Sequence, residues 1–226
     1  MKKRLLTLLL VVALVFVSVP ALAAGKKASP SPVYTTPGKS VCLTFDDGYG
    51  AKNITRILNT LKKHGVKCTF FVVGDCLNAT PALWRRAIKE GHEIAYHSMH
   101  HDNLAKRSTS AVAADLAAWN KTAKKVLGKD YRIRKIVRLP YGSGDKRIKN
   151  VFISRGYTPV YWSVDPFTGA GRRTASAYSG HILSKVRKNS IILLHFKELD
   201  AKALDQCIRK LAAKYPLTTV SQALRL

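Results

Sequence analysis

Residues 41–48 have the sequence Val-Cys-Leu-Thr-Phe-Asp-Asp-Gly, a short apolar run that ends in two adjacent carboxylates and a glycine. An apolar run of this length predicts a buried strand, and Asp-Asp-Gly predicts the turn that leaves it. Asp46 and Asp47 then stand at the carboxyl end of a strand, where ligands and chemistry gather in α/β folds. Two neighbouring carboxylates repel each other unless a cation or a shared proton is close. The pair therefore marks either a functional site or an ordinary Asp-Gly turn.

The remainder of the chain alternates short apolar runs with segments of helical periodicity. Further strands are predicted at residues 67–74, 93–96, 133–139, 158–164, 191–195 and, last and shortest, 217–220. Helices are predicted at residues 54–61, 83–90, 110–127, 147–156, 175–187 and 201–214. Strands that are apolar throughout are typical of parallel sheets with both faces covered. The pattern predicts an α/β fold, either a barrel or an open sheet.

Residues 1–24 are predicted to be a secretory signal peptide. A basic start is followed by an apolar run over residues 5–19 and by Ala-Leu-Ala at 21–23, a small-residue cleavage site. An uncleaved anchor is the alternative. Residues 25–38, rich in Lys, Ser, Pro and Thr, predict a flexible linker, and residues 39–226 are the length of one domain. We therefore expect a secreted protein, or one associated with the cell wall or envelope.

Charge and cysteine content limit the partners. The chain has 39 Lys and Arg against 13 Asp and Glu, a formal net charge of +26. Such a charge attracts polyanions, and for a secreted protein we expect an anionic cell wall or membrane surface. The basic residues are not interleaved with aromatic residues, which argues against specific nucleic-acid binding, and we expect a monomer. The cysteines (Cys42, Cys68, Cys76 and Cys207) allow three disulfide pairings or are simply small buried residues.

A histidine cluster follows the predicted strand at 93–96. His97 and His101 are four residues apart, so a helical turn would project both imidazoles from one face, close enough to bind one metal ion. A carboxylate from elsewhere would complete a three-ligand site with open positions for water and substrate. Asp46 and Asp47 are the available candidates.

Four segments, in this order along the chain, resemble the signature motifs of the polysaccharide deacetylases with a NodB homology domain, the family-four carbohydrate esterases. They are Thr-Phe-Asp-Asp-Gly at 44–48, His-Ser-Met-His-His at 97–101, Arg-Leu-Pro-Tyr-Gly at 138–142 and Leu-Leu-His at 193–195. The likeness covers nearly all of residues 39–226. It implies a distorted (β/α) barrel of seven or eight strands and the hydrolysis of N-acetyl groups on a glycan.

The resemblance also implies roles for individual residues. Asp47, His97 and His101 would bind one divalent metal ion, with zinc favoured and cobalt, nickel or manganese as alternatives. Asp46 would be the general base, and His195 would protonate the departing amine as general acid.

Further residues would support these groups. The backbone N–H of Tyr141 would stabilise the oxyanion, and Arg138 would orient the base and keep it ionised. Leu193 resembles a wall of the acetyl pocket, and Trp162 is a candidate for substrate binding.

The sequence departs from the family pattern after residue 164. The family has an Asp followed three residues later by Asp-Trp, and the second Asp tethers the arginine. Here Asp165 is present, but Thr168-Gly169 stands in the Asp-Trp place. Either Asp165 takes over the tether, or Arg138 is less firmly held and the substrate cleft lacks a wall.

Three functional hypotheses follow. The leading one is a secreted, metal-dependent glycan N-deacetylase that releases acetate from N-acetylglucosamine units of peptidoglycan, chitin-like chains or an exopolysaccharide. The second keeps the site but changes the bond, to O-acetyl esterase action on xylan or another acetylated sugar. The third is a wall-binding protein with a degenerate site.

Overall fold

The computed structural model of the chain describes residues 31–128, 131–166 and 174–226. The predicted signal peptide, the first part of the predicted linker and the Thr168-Gly169 substitution lie outside these residues. In the described part of the chain, no helix has both the length and the apolar composition needed to cross a bilayer.

A six-stranded parallel sheet forms the centre of the molecule, in the order β5-β4-β3-β2-β1-β6. The strands are β1 Cys42–Asp47, β2 Thr69–Val72, β3 Glu93–Tyr96, β4 Ile136–Val137, β5 Thr158–Pro159 and β6 Ile191–Leu194. Each lies within a predicted strand, apart from the last residue or two of β1. The first strand of the chain therefore lies between β2 and the edge strand β6.

The segment that follows β5 joins the two edges of the sheet. At its start Val160 donates to the carbonyl of Val137 in β4, at 2.8 Å, and at its end Val164 pairs with Ile192 in β6. The sheet is thereby curled into a distorted (β/α) barrel, which confirms the predicted fold class. Among the described residues the sheet has six strands rather than seven or eight, because Val33 and Leu217 contribute only single-residue bridges.

Helices cover the outside of the sheet. They are α1 Ala51–Lys63, α2 Gly74–Ala79, α3 Pro81–Lys89, α4 Thr109–Leu127, α5 Lys146–Ile153, α6 Ala175–Lys185, α7 Glu198–Ala212 and α8 Val220–Leu224, with 3-10 turns at Leu104–Lys106 and Pro140–Gly142. The strand predicted at 217–220 is wrong. Leu217 makes one bridge to Val41, and then the Thr219 hydroxyl accepts from the N–H of Gln222 and starts α8. Threonine is a favourable residue at this capping position.

Two apolar layers meet at the sheet. The outer layer lies under the helices; for example, α1 buries Ile54, Ile57, Leu58 and Leu61 at helical spacing. The inner layer fills the barrel with residues that alternate along the strands: Cys42, Phe71, Ala95, Ile136, Val160 and Ile191, with Val220 from α8. The four cysteines are buried free thiols rather than disulfides. They are core residues, as one of the two interpretations of the sequence had it.

The second part of the predicted linker packs against the barrel. Val33 donates to the carbonyl of Pro159 at 2.9 Å and accepts from the N–H of Tyr161 at 2.7 Å, while Thr36 is buried and donates to the carbonyl of Asn189. The ring of Tyr34 stacks on that of Tyr161 at 5.0 Å. In the described part of the chain, hydrogen bonds to the barrel thus reach back at least to Val33, within the predicted linker. Backbone pairing does not require apolar periodicity, so composition carried no signal for it.

A chain that starts at Lys39 should therefore be less stable than one that starts at Ser31. It lacks the backbone hydrogen bonds of Val33 and Thr36, and each contributes about 1 kcal/mol. We expect a loss of roughly 1–3 kcal/mol in the free energy of unfolding, measured by urea denaturation followed by circular dichroism. Equal stability of the two chains would mean that residues 31–38 are a free tether.

Candidate active site

The two carboxylates at the end of β1 diverge. Cys42, Thr44 and Asp46 alternate along the strand and face the barrel interior, and Asp46 is only 4% exposed. Asp47 has φ of +78°, a left-handed conformation that is uncommon for a residue other than glycine. The backbone therefore leaves the strand geometry at Asp47, and the two neighbouring carboxylates reach different partners.

Asp47 meets the two predicted histidines. Its Oδ1 lies 3.4 Å from Nε2 of His97 and 3.1 Å from Nε2 of His101. One ligand atom from each residue lies within 4.8 Å of the other two. One carboxylate and two imidazoles, with the rest of the coordination sphere open to a pocket, are a donor set that suits zinc and related divalent ions.

The other ring nitrogens of the histidines also fit a metal site. Nδ1 of His97 lies 2.9 Å from the carbonyl oxygen of Arg138, which can only accept, so Nδ1 carries the proton. Nδ1 of His101 lies 3.1 Å from the hydroxyl of Tyr141. Partners at Nδ1 leave both Nε2 atoms directed at Asp47, as the ligands of a metal ion require.

The segment that carries the histidines is a loop, so the predicted helical turn is wrong. Ser98 and His101 both have positive φ, of +64° and +59°. The N–H of His101 donates to Oγ of Ser98 at 2.9 Å, and the N–H of Met99 donates to the carboxylate of Asp115 at 3.1 Å. A Cβ on Gly74 would lie 2.3 Å from Sδ of Met99, so any larger residue would require the Met99 side chain to move. The two imidazoles meet through tertiary contacts, at a ring separation of 5.2 Å.

The pKa shifts of Asp47 and His97 show that the electrostatic environment of the triad favours a positive charge. Burial raises the pKa of Asp47, but hydrogen bonds with His101 and His97 outweigh burial and hold this pKa well below its usual range. Burial lowers the pKa of His97, but the charges of Asp46 and Asp47 and the hydrogen bond with Asp47 outweigh it and raise the pKa. The carboxylates therefore favour a cation at this point, whether a proton or a metal ion.

Asp46 is paired with a fully buried arginine. Nη1 of Arg138 donates to Oδ1 of Asp46 at 2.7 Å, and the guanidinium has no exposed surface. The other carboxylate oxygen, Oδ2, lies 3.8 Å from Nε2 of His97. Asp46 therefore lies between Arg138 and the triad of Asp47, His97 and His101.

The arginine is anchored by groups other than the predicted acid. Its Nη1 also donates to Oγ1 of Thr44 at 2.8 Å, Nη2 donates to the carbonyl of Tyr161 at 2.9 Å, and Nε donates to the carbonyl of Val160 at 3.2 Å. The guanidinium lies 4.2 Å from the ring centre of Phe71.

In the described part of the chain, Asp165 is not among the acceptors of Arg138. Asp165 instead has a small effect on Tyr178, whose pKa is raised mainly by burial and by Asp200. The cleft wall at Thr168-Gly169 lies outside the described residues. Arg138 is nevertheless firmly held, because backbone carbonyls replace the carboxylate.

Eight of the ten predicted site residues line one pocket of about 270 Å³, together with Gly142. They are Asp46, Asp47, His97, His101, Tyr141, Trp162, Leu193 and His195. Arg138 lies behind Asp46, and Asp165 lies outside the lining. Burial lowers the pKa of His195, although the charges of Asp46 and Asp47 act in the opposite direction.

Tyr141 has φ of +60° and exposes its ring beside His101. A Cβ on the next residue, Gly142, would lie 2.9 Å from the ring of Trp162. This turn therefore needs glycine to bring the Tyr141 backbone and the Trp162 ring together at the pocket.

Three supporting residues were missed from the sequence. Thr44 lies two residues before Asp46, so the two-residue strand period was a signal for it. Phe71 lies opposite Asp46 in the register of β1 and β2. Asp115, which accepts from the N–H of Met99 and from the Tyr96 hydroxyl at 2.5 Å, lies in the middle of α4 and carries no local signal.

The family model for polysaccharide deacetylase matches residues 33–160. The chain is 34% identical over 188 residues to the chitooligosaccharide deacetylase of Sinorhizobium fredii, covering 80% of this chain and 86% of that protein. This chain therefore belongs to the polysaccharide deacetylase family, as predicted.

The same family includes much longer proteins. The chain is 32% identical over 186 residues to the peptidoglycan-N-acetylglucosamine deacetylase PgdA of Listeria monocytogenes. That match covers 81% of this chain but only 38% of the listerial protein. The likeness is thus to one part of the longer relative.

Solved structures of the family superpose well on the barrel. The Bc1960 peptidoglycan N-acetylglucosamine deacetylase has a TM-score of 0.78 and 27% identity, with 85% of this chain and 92% of that chain covered. BA3943 of Bacillus anthracis, a CE4 family pseudoenzyme, has a TM-score of 0.79 and 25% identity, with 87% and 69% covered. The fold alone therefore does not decide whether a member is active.

Zinc titration of metal-free protein tests the triad. We expect one zinc ion per chain, and we expect His101→Ala to weaken zinc binding at least tenfold, or about 1.4 kcal/mol. His100→Ala is the matched control, because His100 is the neighbouring imidazole but is exposed and pairs with Asp75 at 2.9 Å. Equal zinc affinity of the His101 variant and wild type, measured by calorimetry, would exclude His101 as a ligand.

Proposed function

We propose that this protein is a metal-dependent glycan N-deacetylase that releases acetate from N-acetylglucosamine units of peptidoglycan, chitin-like chains or an exopolysaccharide. The main support for this proposal is that one pocket brings three kinds of group together. They are a set of three residues that could bind a metal ion, a carboxylate that pairs with an arginine, and a histidine. Similar proteins include a peptidoglycan-N-acetylglucosamine deacetylase and a chitooligosaccharide deacetylase, which agrees with this proposal.

The residues present divide the work of amide hydrolysis. Asp47, His97 and His101 would hold the divalent ion, zinc being favoured, which when bound polarises the acetamide carbonyl and makes a water molecule more acidic. Asp46 takes the proton of the attacking water. Its carboxylate is oriented by Arg138, whose Nη1 donates to Oδ1 of Asp46 at 2.7 Å.

The remaining groups act on the oxygen and the nitrogen of the amide. The backbone N–H of Tyr141 donates to the oxyanion that develops on the carbonyl oxygen. His195 donates a proton to the leaving nitrogen, since an amine leaves poorly as an anion. Leu193 and Trp162 flank the acetyl methyl group on the apolar part of the pocket wall.

The size of the pocket suits a small group on a larger polymer. At about 270 Å³ it lies just below the usual range of roughly 300–1,000 Å³ for ligand pockets. It admits an acetamido group and part of one sugar ring, while the rest of the glycan lies outside.

The charge of the chain supports action at an anionic cell wall or membrane surface. A net charge of +26 favours encounter with such polymers. With the signal-peptide pattern of residues 1–24, we infer that the protein is secreted or envelope-associated and acts as a monomer.

Acetate release from an N-acetylglucosamine oligomer tests the proposed function. We expect EDTA to abolish release and added zinc to restore it. Asp46→Asn should lower kcat at least a hundredfold, which is the lower end of the rate enhancement that a general base supplies. Its zinc affinity should stay within threefold of wild type. His100→Ala should retain wild-type activity. Acetate release that persists after chelation, or a fully active Asp46→Asn variant, would refute the mechanism.

A further inference from the structure

We propose that Asp200 is a positioning residue that fixes His195 for proton donation, an inference that rests on the proposed function. Asp200 lies in the first turn of α7 and is 1% exposed. It is not part of the pocket lining and was not among the residues predicted to form the site.

The carboxylate of Asp200 accepts hydrogen bonds from two groups. Oδ2 accepts from the backbone N–H of Lys197 at 3.3 Å, and Oδ1 accepts from the hydroxyl of Tyr178 at 2.5 Å. The backbone N–H of His195 also acts on this carboxylate and lowers its pKa. Asp200 therefore binds one end of the tripeptide 195–197, which connects β6 to α7, and interacts with the other end.

These contacts exceed what helix capping requires. A capping box at the start of α7 needs only the N–H of Lys197, the N-cap residue. The interaction with the His195 N–H lies two residues before the cap and contributes nothing to the helix. Tyr178, a buried residue of α6, fixes the carboxylate from the other side.

The tripeptide is also held from the opposite side. Nδ2 of Asn53, in α1, donates to the carbonyl of Phe196 at 2.9 Å. The ring of Phe196 packs against those of Phe45, Phe70 and Trp84 at 5.6–5.7 Å. With its peptide groups bound from both sides, the backbone of His195 is fixed relative to Asp46 across the pocket.

The charge state of Asp200 agrees with this role at neutral pH. Burial raises the pKa of Asp200 to about 6, against the lowering effect of hydrogen bonds from Tyr178, Lys197 and His195. Above that pH the group is an acceptor-only carboxylate, which suits the N–H and O–H groups around it. Lys197 is the nearby cation that favours this form.

Proton donation matters for some substrates and not for others, which gives a selective test. An amide needs a proton on its leaving nitrogen, whereas 4-nitrophenyl acetate has a leaving group that departs as an anion. A displaced His195 should therefore slow acetamide hydrolysis and leave ester hydrolysis almost unchanged. A general loss of folding would lower both rates together.

The experiment compares Asp200→Asn with Asp205→Asn in the zinc-loaded protein. Asp205 lies on the same helix but is exposed and pairs with Lys63 and His64. We expect Asp200→Asn to lower kcat/KM at least tenfold for the N-acetylglucosamine oligomer and less than threefold for 4-nitrophenyl acetate. Asp205→Asn should match wild type, and Asp200→Asn should have no further effect on amide hydrolysis once His195→Ala is present.

Tyr178→Phe is a milder variant that keeps the carboxylate. It removes one donor to Asp200, and we expect an amide-selective loss of twofold to fivefold. Equal losses on amide and ester, or no loss on the amide in Asp200→Asn, would overturn the proposal.

Amide hydrogen exchange separates this proposal from the proposed function. Asp200→Asn should speed exchange at the N–H groups of His195 and Lys197 at least tenfold, with or without activity. Unchanged protection would refute the positioning role. If wild-type protein released no acetate while protection was lost as expected, the proposed function would fail and the hydrogen-bonding role would stand.

Discussion

The buried guanidinium of Arg138 connects the parts of this structure that have to meet. It binds Asp46 and Thr44 of β1, and it binds the carbonyls of Val160 and Tyr161 in the segment that closes the barrel. The carbonyl of the same residue accepts from His97. Removing one partner of a buried ion pair typically costs about 3–5 kcal/mol. Barrel closure and the positions of Asp46 and His97 therefore depend on one residue.

The repulsion between Asp46 and Asp47 is resolved by a change of backbone direction. Asp46 keeps the strand conformation and meets Arg138, while Asp47, with positive φ, meets His97 and His101. Left-handed conformations also occur at Ser98, His101 and Tyr141. Such strain persists only where surrounding contacts over-determine it, and it clusters at functional sites. Here the rigid barrel imposes these conformations on the loops at one end.

The sequence predicted the fold class and most strands and helices. The spacing of apolar residues and the length of apolar runs indicate directly which positions are buried. It also indicated which side chains share the pocket, through four motifs at strand ends. The shape of the 97–101 loop and the acceptors of Arg138 were not predictable, because Ser98, Asp115 and the carbonyl of Tyr161 act through tertiary contacts. Composition likewise could not reveal that Val33 pairs with the barrel. Asp200 had only the pattern of a helix start, although the backbone N–H of His195 also lowers the pKa of its carboxylate.

The central claim is that the adjacent carboxylates have separate tasks, and a crystal structure of the zinc-loaded protein with anomalous data at the zinc edge tests it most directly. The account predicts one zinc peak about 2.0–2.2 Å from an oxygen of Asp47 and from Nε2 of His97 and His101. Asp46 should remain bound to Arg138 and outside the first coordination shell. A zinc ion coordinated by Asp46, or an Asp46 separated from Arg138 when zinc is bound, would contradict it.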